Sequence, residues 1–412
     1  MSPPPTAGAP AGAPQLHWIE GQAAAMREEL LGLSNQNSGS FNAAGVDACA
    51  ERLQRLFAPL GAQAERIAVA PYRYTDDRGE WRERPLGQAL RLRQRPDAPL
   101  RVFLCGHLDT VYGAEHPFQQ ARADGQDRLH GPGVADLKGG LLVMLLALSA
   151  LEQSPQRERI GWEVLFNPDE EIGSRGSAPL LAEAAARNHF GLVYEPAYAD
   201  GGLASERKGS GNFDIVVRGR AAHAGRNPED GRNAIAAAAA LATQLHGVNG
   251  RREGLTLNVG YVHGGGPLNI VPERCVLKFN VRTSRHEDEA WLLDTVQALL
   301  DQAGRAEGYA FELRGGFTRP PKPVSPGVAR LQGLLGDCGR ELGLNLQFRP
   351  TGGCCDGNNL AALGLANVDN LGVVGGEIHS EREWMRLSSL TERASLSALL
   401  LLKLAQGELS WS

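Results

Sequence analysis

The chain has 412 residues, of which 42% are hydrophobic and 22% are charged, and its formal net charge is −5. This length is large for a single hydrophobic core, so two domains are expected. The slightly negative charge gives no reason to expect nucleic acid or an anionic membrane surface as a partner. The most apolar segment, 141–151, is shorter than a membrane span, so no membrane association is expected.

The N-terminal segment 1–14 is rich in Pro, Ala and Gly, a composition that predicts a disordered leader. It has neither the basic segment nor the apolar segment of a secretory signal, so a cytoplasmic location is expected. The six cysteines are scattered and form no CxxC pair. They are therefore expected to be free thiols in a reducing compartment.

Helices and strands alternate along residues 15–207, which predicts a mostly parallel sheet with helices on its faces. The predicted helices are 22–33, 45–60, 140–152 and 177–186, and the predicted strands are 100–105, 162–166 and 192–194. Helix 140–152 is apolar on most sides, so it should be buried.

The pattern changes near residue 208. The predicted elements are then strand 213–218, helix 233–246, strands 255–262 and 275–281, helix 287–303 and strand 309–313, which is the order of a split βαβ sandwich. Strand 275–281 alternates, with Cys275, Leu277, Phe279 and Val281 on one face.

A proline-rich stretch over 320–326 marks a second boundary, after which a helix over 327–342 and short strands resume the first pattern. The sequence therefore predicts an α/β domain over 15–207 and 320–412, with a mostly parallel sheet. An α+β split-βαβ (ferredoxin-like) domain over 208–319 is inserted into it.

Acidic and imidazole side chains cluster where the strands of the first domain end. His107 and Asp109 follow strand 100–105, Glu170 and Glu171 follow strand 162–166, Glu195 follows strand 192–194, Asp136 lies in the turn GPGVADLKGG, and His379 lies in GGEIHS. In open α/β sheets, functional groups collect beyond the carboxyl ends of the strands.

This set of residue types indicates a hydrolytic metal site. Two histidines and several carboxylates are typical zinc ligands, and one carboxylate can bridge two ions, which together activate a water and polarise a carbonyl. Of the adjacent Glu170 and Glu171, one can ligate while the other takes a proton from the water. Asp109 can accept a hydrogen bond from His107 and fix its tautomer. Taken singly, each residue is more often a solvated loop residue, and Asp136 could be a helix N-cap.

The chain resembles the M20 family of metallopeptidases, which includes glutamate carboxypeptidase, acetylornithine deacetylase and succinyl-diaminopimelate desuccinylase. The matching motifs are GHLDTV (106–111), GPGVADLKGG (131–140), NPDEEIGS (167–174), YEPA (194–197), HAGRNPEDGRNAI (223–235), GGPLNIVPERC (265–275) and GGEIHS (375–380). The resemblance is closest to the glutamate carboxypeptidase branch, because Glu195 stands where the deacetylase branches often carry Asp.

The resemblance implies two divalent metal ions, with zinc expected and cobalt or manganese as alternatives. Asp136 would bridge the two ions, and the remaining ligands would be His107 and Glu195 for one ion and Glu171 and His379 for the other. Glu170 would be the general base and then the acid that protonates the leaving amine. A cis peptide between Asp136 and Leu137 is also implied.

The resemblance further implies a homodimer formed through the inserted domain. His223 would reach into the active site of the partner subunit and stabilise the oxyanion of the tetrahedral intermediate. Its alternative is an ordinary surface-loop histidine. Asn269 would contact the substrate.

A substrate with a free carboxylate is implied as well. Arg282 and Arg319 are the candidates for binding that carboxylate, because the arginine fork matches it in two hydrogen bonds. Arg282 points away from the apolar face of its strand and should be exposed. Gly352 and Gly353 would line the substrate pocket.

The expected function is therefore metal-dependent hydrolysis of an amide bond beside a free carboxylate, in a C-terminal peptide or an N-acyl amino acid. The alternatives are a biosynthetic deacetylase or desuccinylase, and a family member that binds metal and ligand without catalysis. A serine hydrolase is disfavoured, because the sequence contains no GxSxG motif. Cys354 and Cys355 depart from the family pattern, and packing or pocket lining is expected for them rather than metal binding or a redox switch.

Overall fold

The structure is a computed structural model that describes residues 12–408 and Trp411. The α-helices are α1 (Ala13–Glu20), α2 (Ala23–Ser34), α3 (Ala43–Phe57), α4 (Gly139–Glu152), α5 (Ala178–Arg187), α6 (Ala234–His246), α7 (Glu287–Ala303), α8 (Pro326–Glu341), α9 (Asp356–Ala362) and α10 (Ser389–Gln406). The strands are β1 (Gln63–Ile67), β2 (Tyr72–Thr75), β3 (Trp81–Arg84), β4 (Ala89–Gln94), β5 (Leu100–His107), β6 (Arg122–Ala123), β7 (Arg128–His130), β8 (Ile160–Asn167), β9 (Phe190–Val193), β10 (Leu203–Arg207), β11 (Gly209–Arg218), β12 (Thr256–Gly264), β13 (Arg274–Thr283), β14 (Ala310–Arg319), β15 (Phe348–Thr351), β16 (Asn367–Val368), β17 (Gly375–Gly376) and β18 (Trp384–Arg386).

The largest sheet has six strands in the order β1-β4-β8-β5-β9-β16. Strands β8, β5, β9 and β16 pair in parallel, whereas β4 is antiparallel to both of its neighbours. The predicted mostly parallel α/β sheet is therefore confirmed. Strands β1 and β4, which lie at one side of the sheet, are additions to the prediction, because charged residues interrupt their apolar pattern.

Helix α4 lies inside the core beside this sheet. The segment Val134–Glu152 has a mean hydropathy of 1.8, which is enough by length and composition to cross a membrane, but 94% of it is buried inside the fold. It packs against α10, α1 and α2 and against β5. Each leucine that is fully buried there contributes about 1.5 to 3 kcal/mol of hydrophobic stabilisation. A core helix accounts for this apolar run.

Residues 209–319 form a second structural unit, a separate sheet with two helices and its own hydrophobic core. Its four strands are antiparallel in the order β12-β13-β11-β14, and α6 and α7 pack on one face. This is the predicted split βαβ topology. Cys275, Leu277, Phe279 and Val281 are all buried in its core, as their alternation predicts. Strand β14 extends well beyond the predicted residue 313, because Gly315 and Gly316 interrupt the apolar pattern without ending the strand.

The two chain segments that connect this inserted unit to the rest of the fold run side by side. The backbones of Arg207 and Lys322 exchange hydrogen bonds of 3.0 and 2.9 Å. Both side chains bind the buried carboxylate of Asp369: Arg207 through Nε at 2.9 Å and Nη2 at 3.0 Å, and Lys322 through Nζ at 2.6 Å. This buried ion cluster fixes the point where the chain enters and leaves the inserted residues.

Replacing Asp369 with Asn is expected to lower the free energy of unfolding by about 3 to 5 kcal/mol, because two buried cations then lose their counter-ion. Burial opposes ionisation of Asp369, but the attraction of Arg207 and Lys322 lowers its pKa from 3.8 to about 2. The ionised carboxylate therefore stabilises the fold above its unfolded-state pKa, and this stabilisation disappears as the pH falls from about 4 towards 2. Urea unfolding of both proteins across this pH range measures both effects. If the Asp369→Asn protein is as stable as the wild type and loses stability in acid to the same extent, the ion-pair account is contradicted.

The structure describes only the last residues, 12–14, of the predicted leader. Residues 1–11 lie outside the described residues, and α1 begins at Ala13, inside the predicted segment 1–14. The side chains of Leu16 and Ile19 are buried in the main core, so this part of the N-terminal region is packed.

Candidate metal centre and substrate cleft

Three neighbouring parallel strands carry the acidic and imidazole residues to one edge of the large sheet. His107 is the last residue of β5, Glu170 and Glu171 form a helical turn just after β8, and Glu195 follows β9. Because β8, β5 and β9 are adjacent and parallel, their carboxyl ends meet. The topology thus gathers residues that are far apart in the sequence.

Asp136 comes to the same place in a loop that leads into α4. The peptide between Asp136 and Leu137 is cis, as the family resemblance implies. The carboxylate of Glu383 holds this loop by accepting hydrogen bonds from the backbone N–H groups of Gly133, Ala135 and Asp136, at 3.0, 2.9 and 3.0 Å. Sequence reasoning missed Glu383, because its position three residues after Ser380 gives no sign of a contact with the 133–136 loop.

Asp136 lies between the two histidines. Its Oδ1 is 3.2 Å from Nε2 of His107, and its Oδ2 is 3.1 Å from Nε2 of His379. The same Nε2 of His379 is 3.2 Å from Oε2 of Glu171, and Oε1 of Glu195 is 4.0 Å from Nε2 of His107. The two carboxylate oxygens of Asp136 therefore face two different histidines, an arrangement that is compatible with the bridging role implied by the family resemblance.

Asp109 positions three residues of this cluster, which are His107, Glu170 and Glu171. Nδ1 of His107 lies 2.9 Å from the backbone oxygen of Asp109 and 3.4 Å from its Oδ1, so the carbonyl shares the orienting role predicted for the carboxylate. The carboxylate also accepts hydrogen bonds from the backbone N–H groups of Glu170 and Glu171, at 3.1 and 3.2 Å, and from the hydroxyl of Ser40 at 2.7 Å. Asp109 therefore fixes the turn that carries both glutamates, a role that the sequence did not reveal.

Glu170 is buried beside the candidate metal ligands and contacts Arg319. Nη2 of Arg319 is 2.7 Å from Oε1 of Glu170 and also donates to the backbone oxygen of Glu170 at 2.6 Å. It lies 3.1 Å from the hydroxyl of Ser174 and 3.7 Å from Asp356. Arg319 is thus at the cleft, as predicted, but its guanidinium is engaged by protein groups rather than open to a substrate carboxylate.

The electrostatics of the cluster favour a cation. Burial raises the pKa of Glu171, and burial together with the charge of Asp136 raises the pKa of Glu195 to about 8. Hydrogen bonds that the His379 imidazole donates to the carboxylates of Asp136 and Glu171 raise the pKa of His379 to about 11. The shifts reflect burial together with several carboxylates crowded into one site, whose negative charge a divalent cation would neutralise while displacing protons from the histidines. The donor set of imidazoles and carboxylates therefore fits transition-metal ions such as zinc.

A cleft of about 770 Å³ opens beside this cluster. Arg282 of β13 lines it and is half-buried rather than exposed as predicted, with Nη1 at 2.9 Å from Sγ of Cys354. Gly353 also lines the cleft, and a Cβ there would lie 3.6 Å from Nη1 of Arg207. Gly352 is exposed next to it.

The two adjacent cysteines have different environments. Cys354 lines the cleft, and although burial opposes its ionisation, the charges of Arg319 and Arg282 lower the pKa of its thiol. Cys355 is buried, and its side chain caps the N-terminus of α9 by accepting from the backbone N–H of Gly357 at 3.3 Å. All six cysteines are free. Pocket lining and packing, the roles expected for this pair, describe their positions.

His223 and Asn269 lie close to each other but outside the cleft. His223 pairs with Ile270 in an isolated bridge, and the backbone N–H of Ala224 donates to the backbone oxygen of Asn269 at 2.9 Å. Both residues are exposed on loops of the inserted region, and neither belongs to the residues that line the cleft in the described part of this chain. In this chain, then, these two predicted site residues are not brought to the candidate metal ligands.

Comparison with known proteins gives the same picture over most of the chain. Residues 103–403 match the peptidase family M20/M25/M40. Carboxypeptidase G2 of Pseudomonas sp. (strain RS-16) is 32% identical over 317 residues, which cover 74% of this chain and 74% of the relative. A succinyl-diaminopimelate desuccinylase of Verminephrobacter eiseniae is 27% identical over 83% of this chain and 88% of the relative.

Solved structures share the fold. An M20 family metallo-carboxypeptidase from Sulfolobus solfataricus superimposes with a TM-score of 0.70 at 17% identity, covering 92% of this chain and 98% of that one. A dinuclear metal-binding peptidase of the M20 family from Bacillus subtilis gives a TM-score of 0.63 at 13% identity, covering 94% and 99%. The matched length, the fold and the clustered candidate metal-binding residues agree: the chain belongs to the M20 family of peptidases.

Proposed function

We propose that the protein is a two-metal hydrolase that cleaves an amide bond adjacent to a free carboxylate, as a carboxypeptidase or an N-acyl-amino-acid amidohydrolase. The observation that carries the proposal is the position of Asp136 between His107 and His379, with the acid Glu170 and the cation Arg282 lining the same cleft. A family member that binds metal and ligand without catalysis would not need Glu170 as a general base.

The metal ions, which we propose to be zinc, would be held by His107, Asp136, Glu171, Glu195 and His379. When bound, they would lower the pKa of a water and polarise the scissile carbonyl. Glu170 is buried, and burial raises the pKa of its carboxyl against the opposing charge of Arg319. A carboxylate of raised basicity is suited to take a proton from water and to return it to the leaving amine. Arg282 would hold the substrate carboxylate in two hydrogen bonds.

The experiment that tests the substrate class compares matched pairs of substrates. Each pair consists of an N-acyl amino acid and its C-terminal amide, and release of the free amine is measured. The proposal predicts turnover of the free carboxylates and a large loss of kcat/KM for the amides. Equal turnover of acids and amides would rule out recognition of the carboxylate.

A second candidate is hydrolysis of an N-succinyl or N-acetyl biosynthetic intermediate. It is favoured by the similarity to succinyl-diaminopimelate desuccinylases over 83% of this chain. The same panel separates the candidates if it includes N-succinyl and N-acetyl derivatives of a diamino acid. A strong preference for these derivatives over simple N-acyl amino acids and dipeptides would support the second candidate.

We also propose a homodimer that forms through the inserted residues. Strand β12 is an edge strand of the four-stranded sheet, and most of its side chains are exposed, including Val262 at 50%. Leu268 is fully exposed at 100% on the neighbouring loop. An unpaired edge strand with apolar side chains invites pairing with another chain. A partner docked there would cover these residues and offer a way to bring His223 and Asn269 to a second cleft.

Mixing two inactive variants tests this arrangement. His223→Ala and Glu170→Ala subunits are each expected to have little activity, but a mixed dimer would contain one cleft without either lesion. Exchange of subunits should therefore restore up to about a quarter of wild-type activity, since half of the dimers are mixed and each has one intact site. The control is a mixture of two preparations of the same variant. If exchange is verified by mass and no activity returns, His223 does not act across the interface.

A further inference from the structure

Cys354 differs from the other five cysteines in its access to the cleft. It is half-buried, whereas the other five are buried, and it lines the metal cleft together with Glu170, Glu171 and Arg282. All six cysteines belong to the described residues, and none of the other five lines this cleft. A molecule that enters the cleft therefore meets a single thiol, and it meets that thiol beside the groups proposed to bind and hydrolyse the substrate.

The sulfur of Cys354 lies close to two guanidinium groups. Nη1 of Arg282 is 2.9 Å from Sγ, and Nη1 of Arg319 is 3.9 Å from it. Burial opposes ionisation of this thiol, but the two positive charges outweigh burial and lower the pKa of Cys354. Burial raises the pKa of each remaining cysteine, namely Cys49, Cys105, Cys275, Cys338 and Cys355. Because the thiolate is the nucleophile in cysteine chemistry, Cys354 is the thiol of this chain that is best prepared to react.

The same two arginines have capacity for an anionic ligand. No carboxylate among the described residues pairs with Arg282, whose polar contacts are Sγ of Cys354 and, at 3.1 Å from Nε, Oδ1 of Asn280. Arg319 binds Glu170, but its Nε has no hydrogen-bond partner within the described part of the chain, although only 9% of the side chain is exposed. Guanidinium groups with unused donors attract a carboxylate. A reactive thiol and anion-binding groups therefore share one part of the cleft.

We propose that Cys354 is a modification site that forms a mixed disulfide with small disulfides that carry a carboxylate. Arg282 would hold the carboxylate of the incoming molecule while one of its sulfur atoms reaches Sγ. The sequence favours pocket lining over a redox role for this residue, and the proposal rests on the two arginines that the fold places beside it. A neutral disulfide cannot bind the guanidinium groups in this way and would react more slowly.

The step is a thiol–disulfide exchange. The thiolate of Cys354 attacks one sulfur of the small disulfide, and a new S–S bond forms as the S–S bond of the small molecule breaks. The second half of the small molecule leaves as a thiolate with the electron pair of the broken bond. Cys354 is thereby oxidised and the leaving half is reduced, so the small disulfide is the only oxidant required. A reducing thiol reverses the step by the same route.

The attached group would block the substrate site. It would occupy the guanidinium of Arg282, which is proposed to hold the substrate carboxylate, and would extend into the cleft of about 770 Å³ that also contains Glu170. Turnover should therefore be lost on modification and should return on reduction. This consequence rests on the proposed function, whereas the modification itself does not.

The test treats the full chain with dithiodipropionate, which carries a carboxylate on each half, and with its neutral diamide. Each rate of modification is divided by the rate at which the same disulfide reacts with free cysteine. Mass spectrometry of the intact protein counts the attached groups, and peptide mapping locates them. The wild type should gain a single group, on Cys354, and the normalised rate should be about 10-fold higher for the acid than for the diamide, the effect of a hydrogen bond to a charged group. In Arg282→Gln this ratio should fall towards 1.

Two further variants serve as controls. Cys338→Ala is the matched control, because Cys338 is buried in the main core on α8 and does not line the cleft; it should be modified like the wild type. Cys354→Ser should gain no group. Peptide mapping of the wild type locates the reactive cysteine directly, so the result does not depend on how well any variant folds.

Attachment at another cysteine, or no attachment at all, would overturn the proposal. Equal normalised rates for the acid and the diamide, or a ratio that survives in Arg282→Gln, would overturn the specificity for an anionic disulfide. If Cys354 is modified as expected but turnover persists, the modification stands and the placement of the substrate carboxylate at Arg282 fails. If the untreated protein turns over no substrate of the proposed class, the proposed function fails, and the mass and mapping results alone decide the modification.

Discussion

The Glu170→Gln variant is expected to lose a factor of about 10² to 10⁴ in kcat, the range contributed by a general acid–base group, while it keeps its metal ions. Gln has the size of Glu and can still accept the hydrogen bond that Arg319 donates, whose length is 2.7 Å in the native site. It cannot take up a proton from water at neutral pH. The loss should therefore fall on kcat, with substrate binding little changed.

Metal content decides what a loss of activity means here. The carboxylate of Glu170 lies within 4.8 Å of potential ligand atoms of His107 and Glu195, so the geometry alone would also allow it to bind an ion. A drop in metal content in Glu170→Gln would make Glu170 a ligand and contradict its assignment as the base. Glu163→Gln is the matched control, because Glu163 is a buried glutamate of β8 that pairs with Arg187 outside the cleft.

The Asp136→Asn variant is expected to lose both metal ions together and, with them, activity by a factor of about 10³ or more, since metal polarisation contributes several kcal/mol to such reactions. The two carboxylate oxygens of Asp136 each approach a different histidine, at 3.2 and 3.1 Å. The amide of Asn supplies only one oxygen and no charge, so it cannot serve two cations. Metal analysis of the purified protein and amine release measure the two effects.

Asp109→Asn gives the graded comparison. Asp109 contacts His107 and the Glu170–Glu171 turn, but it does not contact His379. Loss of such an orienting residue lowers metal affinity by about 10-fold to 100-fold, which is less than the effect expected for Asp136→Asn. If Asp136→Asn retains two ions per subunit, Asp136 does not bridge them.

The fold was predictable where apolar periodicity is strong. Helix α7 has the predicted bounds, and the alternating side chains of β13 lie in the core of the inserted sheet. Strands β1 and β4 escaped prediction because their arginines and glutamates conceal the pattern: Arg91 of β4 pairs with Glu65 of β1 across the sheet. The long helix α10 was also not predicted, because polar and charged residues such as Arg393 and Ser397 are buried along with its leucines and obscure its apolar pattern.

At the site, the residue types and strand ends predicted which side chains gather, since parallel strands deliver their carboxyl ends to one edge. Contacts between distant loops could not be predicted in this way. Glu383 holds the Asp136 loop from 247 residues away, and Ser40 reaches Asp109 across 69 residues. The contact between Arg319 and Glu170 likewise depends on how the end of β14 packs against the turn that carries Glu170, and no local sequence pattern indicates this packing.

The central claim, that hydrolysis depends on two metal ions in this cleft, is tested most directly by removing and restoring the metal. Protein stripped with a chelator and dialysed would be titrated with zinc while amine release from an N-acyl amino acid is followed. The account predicts no turnover in the stripped protein and full recovery on binding of about two ions per subunit. Turnover that persists in protein shown to be free of metal would contradict it.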